Sequence, residues 1–171
     1  MKHNKLFAAV CLILCCTVVG TAGADFKTGL DAYQRKEYQT ALKELKADGG
    51  ADASYVLSVM YFRGEGVEPN KTEALKWLQR SAEKGLVRAQ YNLGMMYDKG
   101  DGVARDMAAA AKWYRRAAEK GHAQSQFNLG LMYTNGEGVE KDKQEAMKWL
   151  RKAARQGHGK ARKLLKVMSE K

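Results

Sequence analysis

Asp98 and Asp101, with the glycines beside them, are the residues whose types and spacing most suggest chemistry. "DKGDGV", residues 98–103, sets two carboxylates and two glycines within five positions, like the opening of a calcium loop. A loop of the EF-hand type needs oxygen donors at alternating positions and a carboxylate at its twelfth. Counted from Asp98, the fifth position is Gly102 and the twelfth is Ala109, so two required oxygens are missing. His122 and His158 occupy one turn position 36 residues apart, too distant to share a metal. Cys11, Cys15 and Cys16 all fall in an apolar N-terminal run, and no serine has a histidine that the sequence places beside it. The sequence therefore predicts no catalytic centre, no metal site and no cofactor.

The glycines have a different origin, visible when the chain is compared with itself. "LSVMYFRGEGV" begins at Leu57, "LGMMYDKGDGV" at Leu93 and "LGLMYTNGEGV" at Leu129, a constant spacing of 36. Ala74, Ala110 and Ala146 keep the period, as do Trp77, Trp113 and Trp149, and then Gly85, Gly121 and Gly157. Three units follow: 51–86, 87–122 and 123–158. Asp98, by contrast, is Phe62 one unit earlier and Thr134 one unit later. A ligand role does not explain such a repeat, whereas a backbone role does.

In the unit 87–122, Ala89, Leu93, Met96 and Tyr97 recur at helical spacing, so the sequence predicts a helix from about Val87 to Lys99. Gly100 and Gly102 end it. A second helix starts near Asp106, an N-cap residue matched by Asn70 and Asp142 in the other units. Its apolar face is Ala110, Trp113, Tyr114, Ala117 and Ala118, and Gly121 closes it. Gly94 and Gly130 on the first helices, with Ala110 and Ala146 on the second, let paired helices approach closely. The tryptophans read as core rather than as a cofactor box. A short helix pair cannot bury both its faces alone, so the units must stack and share a core. "DKGDGV" is the connector of one helix hairpin.

The ends differ from the units. Residues 1–24 carry Lys2 and Lys5, an apolar run from Leu6 to Val19, and Ala22-Gly23-Ala24, the pattern of a signal peptide cut after Ala24. The mature chain would then be exported, without cysteine and with no membrane span, and its fold must hold without disulfides. Residues 25–50 form a shorter helix pair with a brief connector, an N-terminal cap, and residues 159–171 a C-terminal capping helix. The whole chain has net charge +11, and loss of Lys2 and Lys5 leaves +9. Such a balance is compatible with an anionic partner, such as nucleic acid, an acidic protein or anionic envelope material, but a solvated basic surface accounts for it more simply, and export disfavours nucleic acid.

"AQYNLGMMYDKGDGVARDMAAAAKWYRRAAEKGH" and its two neighbours resemble the Sel1-like repeat family, relatives of tetratricopeptide repeats with a longer loop between the helices. The resemblance implies an all-α protein, a right-handed α-solenoid of stacked antiparallel helix pairs, and a protein-interaction scaffold without common catalytic residues. Cysteine-rich members have been linked to β-lactam binding or hydrolysis, but they carry disulfides that a chain without mature cysteine lacks, which counts against that activity.

In such a solenoid the first helix of each pair lines the inner side. Opposite its packing stripe lie Arg88, Asn92, Met95 and Lys99, with Gln124, Asn128, Leu131 and Asn135 in the next unit and Asp52, Val56, Val59 and Arg63 in the previous one. The expected working surface is a groove with an amide ladder of Asn92 and Asn128, an apolar floor of Val59, Met95 and Leu131, and basic residues Arg63, Arg88 and Lys99 at its edge. The amides suit a peptide backbone and the cations suit its acids; equally, Asn92 and Asn128 could serve the fold by satisfying loop or neighbouring-helix groups. The expected protein is a monomeric, periplasmic or secreted binder of an acidic or polar peptide or protein. Two alternatives stay open: an immunity or inhibitor protein against an envelope-acting enzyme or toxin, and a cell-wall-associated binder of anionic polymer.

Overall fold

The computed structural model describes residues 25–169, so the expected leader, residues 1–24, lies outside the described residues. Within them the chain forms helices joined by short connectors: α1 (Phe26–Gln34), α2 (Tyr38–Asp48), α3 (Ala51–Arg63), α4 (Lys71–Glu83), α5 (Val87–Lys99), α6 (Met107–Glu119), α7 (Ala123–Asn135), α8 (Lys143–Arg155) and α9 (Gly159–Ser169). Each helix packs mainly on its neighbours in sequence. The result is an all-α solenoid.

The local signals explain where each helix begins and ends. Asn70, Asp106 and Asp142 adopt extended backbone, and each side chain accepts from an N–H of the first turn, filling donors that have no partner within the helix. At the other end of α5, Gly100 turns left-handed at φ 72° and its N–H returns to the Met96 carbonyl. The connector then closes on its own helix, since Asp106 N–H donates to the Tyr97 carbonyl at 2.9 Å, as Asn70 does to Tyr61 and Asp142 to Tyr133. These bonds make the glycine connector a compact corner.

The second connector glycine has a separate task. At Gly138 a Cβ would stand 2.1 Å from the Met107 carbonyl oxygen. The third unit's connector thus lies against the start of α6 in the unit before it, where only a residue without a side chain fits, whereas a Cβ at Gly102 would meet only Met96 of its own unit, at 3.4 Å. At the N-terminal end the first connector is also tied by side chains: Tyr33 Oη donates to Glu65 at 2.7 Å and Gln39 Nε2 to the Gly66 carbonyl at 2.6 Å. The α1–α2 pair therefore grips the first full unit.

The core is continuous but changes hands from pair to pair. Ala32, Leu42, Leu45, Leu57 and Met60 join α1, α2 and α3; Leu78, Ala82, Leu93 and Trp113 join α4, α5 and α6; Tyr114, Leu129, Met132 and Trp149 join α6, α7 and α8. Leu150, Ala153 and Ala161 then seat α9. Every cluster draws on more than one pair, which is why no unit is stable by itself. Buried glutamines add a polar tie: Gln90 Nε2 donates to the Ala82 carbonyl and Gln126 Nε2 to the Ala118 carbonyl, both at 3.0 Å. They satisfy carbonyls at the ends of the preceding helices.

The close approach predicted at Gly94 and Gly130 takes a more specific form than two backbones touching. A Cβ on Gly94 would lie 2.7 Å from Cδ1 of Tyr114, and one on Gly130 would lie 2.7 Å from Cγ of Leu150 and 3.3 Å from the Ala146 carbonyl. Gly94 makes room for a ring rather than for Ala110. Ser58 occupies the same position in the first unit.

Candidate partner-binding site

A cleft of about 350 Å³ opens between α3, α4 and α5, where the first full unit meets the second. Tyr55, Val59 and Phe62 come from α3, Leu75 and Leu78 from α4, and Met95 and Met96 from α5. Arg63, Lys71 and Lys99 also line it, with Asp101 as the acid among them. Phe62 is 56% exposed. A phenyl ring left in water beside three cations is an unusual surface for a folded chain, because an aromatic of that size normally finds cover.

Three register positions differ between the open junction and the filled one that follows it. The first unit has Ser58, Phe62 and Leu78 where the second has Gly94, Asp98 and Tyr114. In the second unit the Tyr114 ring lies against Gly94, is 1% exposed, and donates its hydroxyl to Asp98 at 3.1 Å. Burial, and then the adjacent Asp98 carboxylate, push the Tyr114 hydroxyl well above the ordinary tyrosine range. In the first unit the shorter Leu78 and the exposed Phe62 line the cleft instead. The acid that opened the calcium-like motif is thus a hydrogen-bond acceptor for a core tyrosine.

The residues expected to form one groove are divided by the structure. Arg63, Asn92, Met95 and Lys99, together with Val59, line the cleft. Arg88 does not; its guanidinium bonds Asp52 at 2.7 Å and lies 4.3 Å over the Tyr55 ring. Asn92 Nδ2 donates to the Tyr55 hydroxyl at 3.1 Å, so one amide of the ladder ties adjacent units. Asn128 accepts from Gln124 at 2.8 Å, and Gln124 in turn meets His158 Nε2 at 3.1 Å. Leu131 is half-buried and Asn135 is exposed, and neither borders the cleft. Val56 is buried in the first core cluster.

Phe62, Tyr55, Leu75, Leu78, Met96 and Lys71 line the cleft without having been expected to. Phe62 carried a signal in the sequence, since it breaks the polar character of its repeat position. Leu75 and Leu78 carried none, because a leucine on the core face of a helix looks like any other core leucine. A second cleft, of about 490 Å³, is bounded by Arg115, Tyr133, Val139, Glu140, Lys141, Asp142 and Glu145. Arg115 there already donates to the Tyr133 hydroxyl, and its largely charged walls offer little to an apolar anchor.

The two histidines among the described residues serve the fold. His122 caps α7 by accepting from Ser125 N–H and packs 4.7 Å from Tyr91. Its Nδ1 also lies 2.8 Å from Ser125 Oγ, so that a serine does stand beside a histidine, contrary to the sequence expectation, because both sit in the first turn of one helix. His158 accepts from Ala161 N–H and stacks 4.5 Å from Phe127. Burial lowers the His122 pKa below its ordinary value. Among the described residues no helix is long and apolar enough to cross a membrane.

A family model described as Sel1 repeat matches residues 51–86, 87–122 and 123–158. The comparison with curated proteins gives no match. Among solved structures, a Sel1 repeat protein from Oxalobacter formigenes is 44% identical with a TM-score of 0.69, the match covering 74% of this chain and 97% of that one. The protective antigen c5321 of uropathogenic Escherichia coli, described as displaying an SLR fold, is 37% identical with a TM-score of 0.68, over 78% of this chain and 31% of its own. Cysteine rich protein B of Helicobacter pylori shares the fold at 24% identity and a TM-score of 0.57, over 82% and 96% of the two chains. With three consecutive repeats matched and the stacked helix pairs that they predict in place, the chain belongs to the Sel1 repeat family, whose members generally act as protein-interaction scaffolds.

Proposed function

We propose that this protein is an exported, non-enzymatic scaffold that holds a segment of a partner protein in the α3–α4–α5 cleft. The single observation that carries the reading is the exposed Phe62 beside Arg63, Lys71 and Lys99. An aromatic or aliphatic side chain of the partner fills the volume above Leu75, Leu78 and Met95, and flanking acids meet the cations. Such an apolar anchor supplies most of the affinity in a small interface, while rim charges set orientation and association rate. The cleft accepts one or two side chains rather than a folded domain, so the recognised element is a short acidic segment.

Export rests on Lys2, Lys5, the apolar run that follows and Ala22-Gly23-Ala24. In this reading the leader is 1–24, the capping pair is 25–50 and the capping helix is 159–171. The mature protein acts as a monomer in the periplasm or outside the cell.

The test is affinity capture from an envelope extract with residues 25–171, run beside Phe62→Ala and Lys99→Glu variants. One protein retained by the wild type and lost by both variants is the expected result. Equal capture by all three would remove the cleft as the working site. Mass spectrometry of the chain purified from its own host checks the leader: a mature N-terminus at Asp25 is expected, and an intact Met1 would overturn export by this route.

A further inference from the structure

The positive charge of the chain is collected at one end. Residues 25–142 hold eighteen lysines and arginines against seventeen acids, a net of +1, whereas residues 143–171 hold ten against two, a net of +8. The repeat register shows how this arises. The surface strip of α4 reads Lys76, Gln79, Arg80, Glu83, and that of α6 reads Lys112, Arg115, Arg116, Glu119. On α8 the same four positions are Lys148, Arg151, Lys152 and Arg155. An arginine replaces the closing acid. α9 continues the field with exposed Arg162, Lys163 and Lys166 on the side away from buried Ala161. Among the described residues, Lys148 with Glu145 is the one α8 or α9 cation in a salt bridge.

Capping does not require this. A solenoid end must be polar, and the α1–α2 end meets that need with five bases and five acids over residues 25–50. Like charges on one helix face repel, so the +8 end is held at a cost that an anionic counterpart removes. A second copy of the chain cannot supply it, since no stretch comparable in size carries a matching negative excess.

The character of the surface narrows the counterpart. A protein interface needs an apolar core with aromatic or aliphatic anchors. Here the exposed large apolar side chain is Val167, at 51%, and the Trp149 indole is 4% exposed beneath Lys152. A nucleic acid or glycan strand is followed by a groove with stacking rings. Neither cleft is lined by α9 or by the cationic strip of α8. A plane of anionic headgroups requires neither feature, and each Lys or Arg near it raises partition about five-fold. Val167, next to Lys166 and one turn on from Lys163, is exposed and adds a small apolar contact at headgroup depth.

We propose that the α8–α9 end is a docking surface for an anionic lipid bilayer, on which the protein lies without spanning it. The surface is separate from the α3–α4–α5 cleft, which stays open to a partner when the end is docked.

The test is co-sedimentation of residues 25–171, which contain all four core clusters, with phosphatidylcholine vesicles with and without phosphatidylglycerol. The wild type should bind the anionic vesicles, release as salt rises, and ignore the neutral ones. Changing Arg151, Lys152, Arg155, Lys163 and Lys166 to Gln should lower partition by on the order of a hundred-fold or more. A control that changes Lys27, Lys36, Lys43, Lys84 and Lys112 to Gln removes equal charge elsewhere and should lose less than about ten-fold. Circular dichroism confirms that both variants fold. Absence of wild-type binding to anionic vesicles would overturn the proposal, as would equal loss in the two variants, which would mean net charge alone. Retention on an acidic protein or polyanion column with no vesicle binding would also overturn it.

Discussion

The junction between the first two full units and the junction between the next two are built from the same repeat, yet one is open and the other is filled. At the second junction Tyr114 occupies the space between α5 and α6, rests on Gly94 and bonds Asp98, while Tyr91 and His122 pack alongside. At the first, Leu78, Ser58 and Phe62 stand in those places and leave a cleft of about 350 Å³. A repeat fold can therefore open a cleft by subtraction. Exchanging a few side chains opens a volume between units without disturbing the helices, which is how one architecture serves many partners.

The comparison can be broken most directly by giving the second junction the first one's residue. Tyr114→Leu should open a second cleft and lower stability by about 3 kcal/mol, because a buried ring is lost and Asp98 is left without its donor. Chemical denaturation measures this, and a loss under about 1 kcal/mol would show that Tyr114 does not fill the junction. Next in size is Gly94→Ser, which copies Ser58. Its side chain would meet the Tyr114 ring at the 2.7 Å approach noted for a Cβ, and overpacking should cost about 2 kcal/mol. In the Tyr114→Leu background the same change should cost clearly less, since the two sites share one space.

Ser58→Gly, Phe62→Asp and Leu78→Tyr together should close the first cleft, keep stability within about 1 kcal/mol of the wild type, and abolish capture of the partner. Retained capture by a folded triple variant would place the binding surface elsewhere.

The smallest effect is in pH. His122 has a folded-state pKa below its ordinary 6.5, the cause being burial, so the unfolded chain takes up its proton first. Its stabilising share is complete above about pH 6.5 and should fall as acid is added through the lower folded value. Leu86 holds the same register position in the first unit. His122→Leu should remove that acid-side decline from a melting-temperature profile, and an unchanged decline would assign it to other groups. Tyr114 gives the opposite limb: its raised pKa means that stability is full below about pH 10 and falls as alkali is added.

Much of the fold was legible because its signals are local. Asn70, Asp106 and Asp142 cap helices through bonds to residues two or three positions on, and Gly100 ends α5 through its own backbone. The 36-residue period then says that such pairs stack. The candidate site was legible only in part. Val59, Arg63, Asn92, Met95 and Lys99 were found by taking the helix face opposite the packing stripe, but Arg88, Asn92 and Asn128 also proved to tie units or neighbouring turns together through Asp52, Tyr55 and Gln124. Facing away from one's own helix partner does not mean facing water, since in a stack the neighbouring unit occupies part of that side.

The sequence by itself determined the period, the capped starts and glycine ends of the repeat helices, the small residues at close contacts and the gathering of charge toward the C-terminus, since each is a property of residue type at short range or of a count. The tertiary structure alone decided which junction stays open. The volume between two units depends on side chains from three helices, Ser58 and Phe62 on one, Leu78 on the next and Met95 on a third, and no local pattern records how those separate choices add up in space.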